Sequence, residues 1–250
     1  MQETLERRDN FAAIRLVAAI LVIFGHAFPL TGVHQPGYLA NPIATLAVKI
    51  FFVISGYLVT GSWLKDPYTR RYLTRRSLRI FPGLALLCLL TALVIGPMFT
   101  SLALIDYFCD IDTWMYFSNV ALNPTYHLPG LFFNNIYPIA VNGSLWTLPV
   151  EFCMYLLLPL VMAAPGARYA LLIIAVALSV GALWISPSAP AVVLWGTNLV
   201  HALQLAPYFF WGAVYRVWLP RYALNLQVGV LAMVLLPLLV QSERGGRLSH

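Results

Sequence analysis

Seven runs of about 20 mostly apolar residues follow one another along the chain, each long enough to cross the hydrocarbon core of a bilayer as a helix. They cover residues 11–30, 43–64, 78–100, 144–164, 168–187, 199–219 and 222–241. Of the 250 residues, 60% are hydrophobic and 10% charged, where a soluble domain carries about 25% charged residues. The expected fold class is all-α, a polytopic transmembrane helix bundle. It is expected as a single domain over 1–250, ending in an atypical polar tail at 241–250, QSERGGRLSH. The first run is of spanning length and no small-residue cleavage site follows it, so it reads as a retained helix and not a signal peptide. The net charge of +6 does not imply nucleic acid, because Lys and Arg in a membrane protein mark cytoplasmic loops. Cys88, Cys109 and Cys153 have no metal-ligand spacing, and two of them fall in apolar runs, so no disulfide framework is expected. There is no internal repeat.

Orientation follows from the basic residues. Between the second and third runs lies KDPYTRRYLTRRSLR, with Lys65, Arg70, Arg71, Arg75, Arg76 and Arg79. This cluster is expected in the cytoplasm, which also puts Arg7, Arg8 and the N-terminus inside. The loop TGVHQPGYLANP has no Lys or Arg, and 101–143 has only Asp106, Asp110 and Asp112. Both read as outer segments. The longer one is expected to be structured, with a short interfacial helix near Trp114–Val120. Arg168, Arg216 and Arg221 return to the inside, whereas Arg244 and Arg247 of the tail fall outside, against the rule. His34 and His127 read as solvated loop histidines and His201 as interfacial. No pair has metal-ligand spacing, so no metal is expected.

The ionisable residues inside the runs carry the chemistry. Arg15 and His26 are eleven positions apart, about three turns plus 20°, so they share one stripe of the first helix about 16 Å apart. A charge in hydrocarbon costs about 3 kcal/mol or more without a partner or water. The pair therefore reads either as lining a polar path or as two side chains snorkelling to opposite headgroup layers. The second run adds Lys49, Ser55 and Tyr57; the fourth adds Asn142, Ser144, Trp146 and Glu151. With a helix beginning near Ser144, Glu151 lies about 10 Å below the outer end, a depth close to that of His26. A buried carboxylate calls for a basic partner, and His26, Lys49 and Arg15 all qualify. A His–carboxylate pair makes a general base; the same pair would also serve as a plain interhelical tie. Arg76 and Arg79 are three apart and share a face. Their forks suit phosphate oxygens, though they also fit a simple positive-inside cluster. A transporter path remains open on these residues alone, although no paired, interrupted helices or internal symmetry are visible.

Five segments in order resemble motifs of the acyltransferase 3 family of bacterial membrane O-acyltransferases. NFAAIRLVAAILVIFGH places ten residues between Arg15 and His26. AVKIFFVISGYLVTGSW is similar to an FFxxSGY motif, and RSLRIFP, from Arg76, to an RxxR motif. NGSLWTLPVEF resembles a loop-to-helix motif with a Glu, and PYFFWGAVYRVW a later, weaker one. The resemblance covers residues 10 to about 240. It implies that an acyl group, usually acetyl, passes from cytosolic acyl-CoA to a hydroxyl of a sugar at the outer face. By resemblance His26 is the catalytic base or acyl relay and Glu151 supports it. Arg15, Arg76 and Arg79 would bind the donor's phosphates, while Lys49, Ser55, Tyr57, Asn142, Ser144 and Trp146 are acceptor-binding or structural. Acyl-CoA is then a substrate and no bound cofactor is expected; the other partners are a glycan acceptor, of exopolysaccharide or O-antigen type, and membrane lipids. The location implied is the bacterial inner membrane. The resemblance implies about ten spanning helices of about 20 residues each, of which seven are expected here; the polar tail reads as an early stop or a shifted reading frame, which leaves activity open.

Overall fold

The computed structural model describes residues 2–33, 37–38, 41–136, 140–185, 190, 192–195 and 197–218. The expected helix 222–241, Arg221, the tail with Arg244 and Arg247, and His34 lie outside the described residues. Nine α-helices occur among the residues described: α1 Gln2–Thr31, α2 Ile43–Lys65, α3 Thr69–Leu90, α4 Gly96–Phe99, α5 Leu104–Cys109, α6 Ile111–Met115, α7 Thr147–Ala163, α8 Ala167–Trp184 and α9 Leu199–Trp218. Two antiparallel ladders of two residues per strand, β1 Gly37–Tyr38 with β2 Asn41–Pro42 and β3 Val193–Leu194 with β4 Thr197–Asn198, interrupt an otherwise all-α fold. Helices dominate because a backbone in lipid must satisfy its own hydrogen bonds.

Five of the helices are long and apolar enough to cross a membrane: Ala13–Thr31, Ile43–Lys65, Thr69–Phe99, Gly143–Ala163 and Ala167–Trp184. α9 forms where the sixth run was expected. With His201, Gln204, Pro207 and Arg216 among its residues, it is not one of those five.

The third span differs most from expectation. It begins at Thr69, nine residues before the expected start, so Arg70 to Arg79 lie on the helix and not in a loop. TRRYLTRRSLR contains no Gly or Pro, and Arg and Leu are good helix formers. Asp66 secures this first part: its carboxylate accepts from Arg71 at 2.7 Å and Arg75 at 2.6 Å. At the other end the ladder loosens into a π turn, Thr91–Ile95, before α4. A π turn skips one α-type bond and releases a carbonyl, and the Ala92 oxygen accepts from the Tyr107 hydroxyl at 2.7 Å.

The chain divides into two compact units. Among the described residues, the first comprises α1, β1, β2, α2, the end of α7 from Leu160, α8 and α9 from Leu203. Here α1 packs along α2, and α2 meets α9 backbone to backbone. A methyl on Gly56 would collide with the Phe209 carbonyl oxygen, and one on Gly212 with that of Val53. Small residues let helices approach this closely in lipid. Two tryptophans tie α9 to α8: Trp211 Nε1 donates to Ser179 Oγ at 2.9 Å, and Trp218 Nε1 to the Arg168 carbonyl at 3.1 Å.

The second unit comprises residues 66–159 and 189–202. The polar segment after α4 folds over the far half of α3, burying Leu84, Cys88 and Ala92 against Tyr107, Tyr116 and Leu131. The expected short helix is present as α6 followed by a 3-10 turn, Tyr116–Ala121. Asn119 closes the loop after it, donating to the carbonyls of Tyr116 and Thr125 at 2.7 and 2.9 Å and accepting from the Thr125 N–H at 3.1 Å.

Candidate functional site

In the first unit, exposure along α1 separates two faces. Leu16, Ile20 and Ile23 face outward, while Ala18 and Gly25 are buried and Arg15 and His26 are half-buried. Both ionisable residues therefore lie together at the edge of the covered face, on the one stripe their spacing requires. His26 Nδ1 lies 2.8 Å from the Val22 carbonyl oxygen. A carbonyl only accepts, so Nδ1 carries the hydrogen, and in the neutral ring Nε2 keeps its lone pair. The group that holds this nitrogen is a backbone carbonyl one turn back on α1, not a carboxylate.

Residues of α2 surround the Gly56 contact. Lys49 is buried, its ammonium 5.2 Å from the centroid of the Tyr208 ring. Ser55 is half-buried. Tyr57 is buried, with Phe11 stacked on it at 5.3 Å and the Arg216 guanidinium 5.2 Å from its centroid. The SGY triplet is therefore first a packing device, in which Gly56 admits α9 and Tyr57 joins α1 to it.

In the second unit α7 brings Glu151 and Tyr155 onto one face, four residues apart. The Tyr155 hydroxyl donates to Glu151 Oε1, and the Arg76 guanidinium lies 6.0 Å from the Tyr155 ring centroid. Two motifs far apart in sequence, RxxR and the Glu-bearing helix, thus meet through a tyrosine. Arg76 Nε is buried and makes no hydrogen bond among the described residues. Arg79, in contrast, is exposed. The expected shared face holds only approximately, because positions three apart differ by about 60° around a helix and the edge of the buried face falls between them.

At the far end of α7, a 3-10 turn Gly143–Trp146 leads into the helix. Asn142 Nδ2 donates to the Tyr116 hydroxyl at 2.6 Å and to Thr91 Oγ1 at 3.4 Å, Ser144 is exposed, and Trp146 is half-buried with its ring 5.3 Å from His201. His127 is exposed, as a solvated loop histidine should be, with Nε2 3.4 Å from Asp112 Oδ2. Near the opposite end of α3, Tyr68, Arg70, Arg71, Thr74 and Arg75 line an open groove of about 460 Å³. No three His, Cys, Asp or Glu side chains among the described residues are placed to hold a metal.

A family model for an acyltransferase domain matches residues 8–241. The chain belongs to the acyltransferase 3 family. It is 30% identical over 156 residues to an O-acetyl transferase of Shigella phage Sf6, covering 61% of this chain and 45% of that protein. It is 31% identical over 173 residues to Nodulation protein 10 of Rhizobium leguminosarum bv. viciae, covering 62% of this chain and 44% of that protein. The chain thus spans less than half the length of these curated relatives. No solved structure matches. Membership of the acyltransferase 3 family, with the apolar helices, makes this a multi-pass membrane protein.

Sequence reasoning missed Tyr155 and read Arg216 only as an orientation marker. The first left a signal, an aromatic hydroxyl four residues after the one acid of α7. The second left none, because its partner Tyr57 is distant in sequence.

Proposed function

We propose that this acyltransferase 3 family protein is a membrane O-acetyltransferase. It moves an acetyl group from acetyl-CoA on the cytoplasmic side to a hydroxyl of a cell-surface or exported glycan on the other. His26 is its general base, and the observation that carries this role is the Nδ1–H bond to Val22. With Nδ1 committed, Nε2 is the nitrogen available to take a proton. The acceptor hydroxyl gives its proton to Nε2 and its oxygen attacks the thioester carbonyl. A C–O bond forms, the C–S bond breaks, and the coenzyme A thiolate leaves and is protonated. Glu151, matching the family's Glu motif, is the second catalytic group. Arg15, Arg76 and Arg79 bind the donor's phosphates; the half-buried Arg76, with a buried Nε left without a hydrogen bond, supports that role for its own position. Lys49, Ser55, Asn142, Ser144 and Trp146 serve packing or acceptor contact.

The membrane is the bacterial inner membrane, with the N-terminus and the Lys65–Arg79 segment cytoplasmic. The excess of Lys and Arg in that segment supports this orientation. The likeness to the phage O-acetyl transferase supports the reaction class.

The experiment is transfer of labelled acetyl from acetyl-CoA into surface glycan, using membranes containing the native chain or its His26→Ala variant. Transfer by the native chain that disappears in the variant is the expected result. Equal transfer by both removes His26 from the mechanism, and no transfer by the native chain overturns the assignment of activity to these residues alone.

A further inference from the structure

Arg216 is an ionisable residue that the proposed reaction does not use. It lies in the last turn of α9, half-buried, and turns onto Tyr57 of α2. Its Nη1 donates to the Tyr57 hydroxyl at 3.3 Å, and its guanidinium carbon is 5.2 Å from the ring centroid. Tyr57 is only 6% exposed. Phe11 of α1 stacks on it at 5.3 Å and Tyr215 tilts against it at 5.8 Å. Gly61 makes the room: a Cβ at that position would stand 2.7 Å from Arg216 Nε. A guanidinium has five N–H donors, and one makes a described hydrogen bond here. The ion pairs among the described residues belong to Asp66 and Asp112, not to Arg216.

This differs from an arginine reaching for the headgroups. A snorkelling side chain extends away from its helix toward water and needs neither a glycine beneath it nor an aromatic face to lie on. Here α1, α2 and α9 each supply a part. The ring face offsets some of the charge, the apolar stack fixes the guanidinium, and the rest of the fork has no described counter-charge. Arg15 follows Phe11 by four residues on the same face of α1, so the Phe11 stack also fixes the turn that carries Arg15.

We infer that Arg216, seated on Tyr57, is an anion site that takes a phosphate group at the Lys65 end of α2. A guanidinium fork pairs two phosphate oxygens at once, and the Tyr57 hydroxyl can accept from Arg216 while donating to the same phosphate. The phosphate comes from one of two sources, the nucleotide end of the acyl donor or the headgroup of an anionic phospholipid. The first source rests on the proposed acetyl-CoA reaction; the second does not.

The test uses the full chain in nanodiscs of phosphatidylcholine. Binding of desulfo-coenzyme A is compared with binding of pantetheine, which lacks phosphate, for the native chain, Arg216→Gln and Arg216→Lys. The expected result is coenzyme A affinity at least about tenfold weaker in R216Q, the equivalent of one charge-assisted contact, with pantetheine binding unchanged and R216K between the two. In a second arm, spin-labelled phosphatidylglycerol reports immobilised anionic lipid; loss of that signal in R216Q with coenzyme A binding intact assigns the site to the headgroup. Unchanged coenzyme A and lipid binding in both variants overturns the anion site. If the native chain binds no coenzyme A, the acyl-donor reading fails on its own, and the lipid arm alone decides Arg216. A Gln variant that loses pantetheine as well has lost its fold, and the Lys variant then carries both comparisons.

Discussion

Glu151, Tyr155 and Arg76 show what a single hydroxyl can organise. The Tyr155 O–H holds one carboxylate oxygen while its ring faces the guanidinium. Tyr155→Phe keeps the ring and removes the hydrogen bond, so the helix packing should survive while Glu151 loses a fixed orientation. In the proposed reaction, loss of about 1.4 kcal/mol of orientation would lower acetyl transfer about tenfold, with an unchanged thermal unfolding midpoint in detergent. Transfer at the native rate would show that Glu151 does not depend on Tyr155. Gly56 fails differently. A methyl there meets the Phe209 carbonyl of α9, and backbone cannot yield as a side chain does. Gly56→Ala should destabilise by about 1–3 kcal/mol, the usual range for overpacking; a midpoint at or above the native one would show that α9 does not sit on this glycine.

At the scale of elements, the third span is secured at both ends by side chains from outside it. At its start the hydrogen bond from Arg71 is the largest effect on the Asp66 carboxyl; burial opposes it, and the Arg75 hydrogen bond with the charges of both arginines keeps the carboxyl below its ordinary value. A carboxyl whose folded value is depressed stabilises the fold above its unfolded value of about 3.9 and loses that contribution as pH falls through the lower folded value. Amide exchange at 69–76 should therefore be indifferent to pH between about 5 and 7, once corrected for intrinsic rates, and speed up below about 4; Asp66→Asn should remove the acid step. At the other end Tyr107 occupies the carbonyl that the π turn releases. Tyr107→Phe leaves the Ala92 oxygen without that donor, a loss of about 1–3 kcal/mol, readable as faster exchange across 91–99. Exchange unchanged there would mean that the turn holds without Tyr107.

For the whole molecule, the cysteines report which segments meet water. Cys109 is exposed on α5, Cys88 is fully buried under the same segment, and Cys153 is exposed on the apolar α7. A thiol facing hydrocarbon is out of reach of a charged reagent even when no protein covers it. In the proposed orientation a membrane-impermeant maleimide added to intact spheroplasts should label Cys109 alone. Labelling that requires permeabilised membranes would invert the orientation. Labelling of Cys88 before unfolding would dissolve the packing of Tyr107, Tyr116 and Leu131 onto α3.

Five of the seven expected spans, the basic bias of the segment 65–79 and the polar positions within the helices were legible from residues alone, because length, hydropathy and charge are local properties and lipid leaves helices as the economical solution. The stripe shared by Arg15 and His26 belongs with them, since 3.6-residue periodicity needs no partner. Other features depended on what lies opposite. Arg76 is half-buried and Arg79 exposed because α7 covers one side of α3, and no pattern within RRSLR marks that edge. The segment 101–143 reads as a structured loop, and its described part joins a core only through Tyr107 and Tyr116 meeting Leu84 and Cys88. The glycine of SGY is needed where another backbone passes, and Arg216 acquires a seat because Tyr57, far away in sequence, lies beneath it. Tertiary structure decided these because burial, a hydrogen bond to a distant carbonyl and a close helix crossing are each properties of two segments at once.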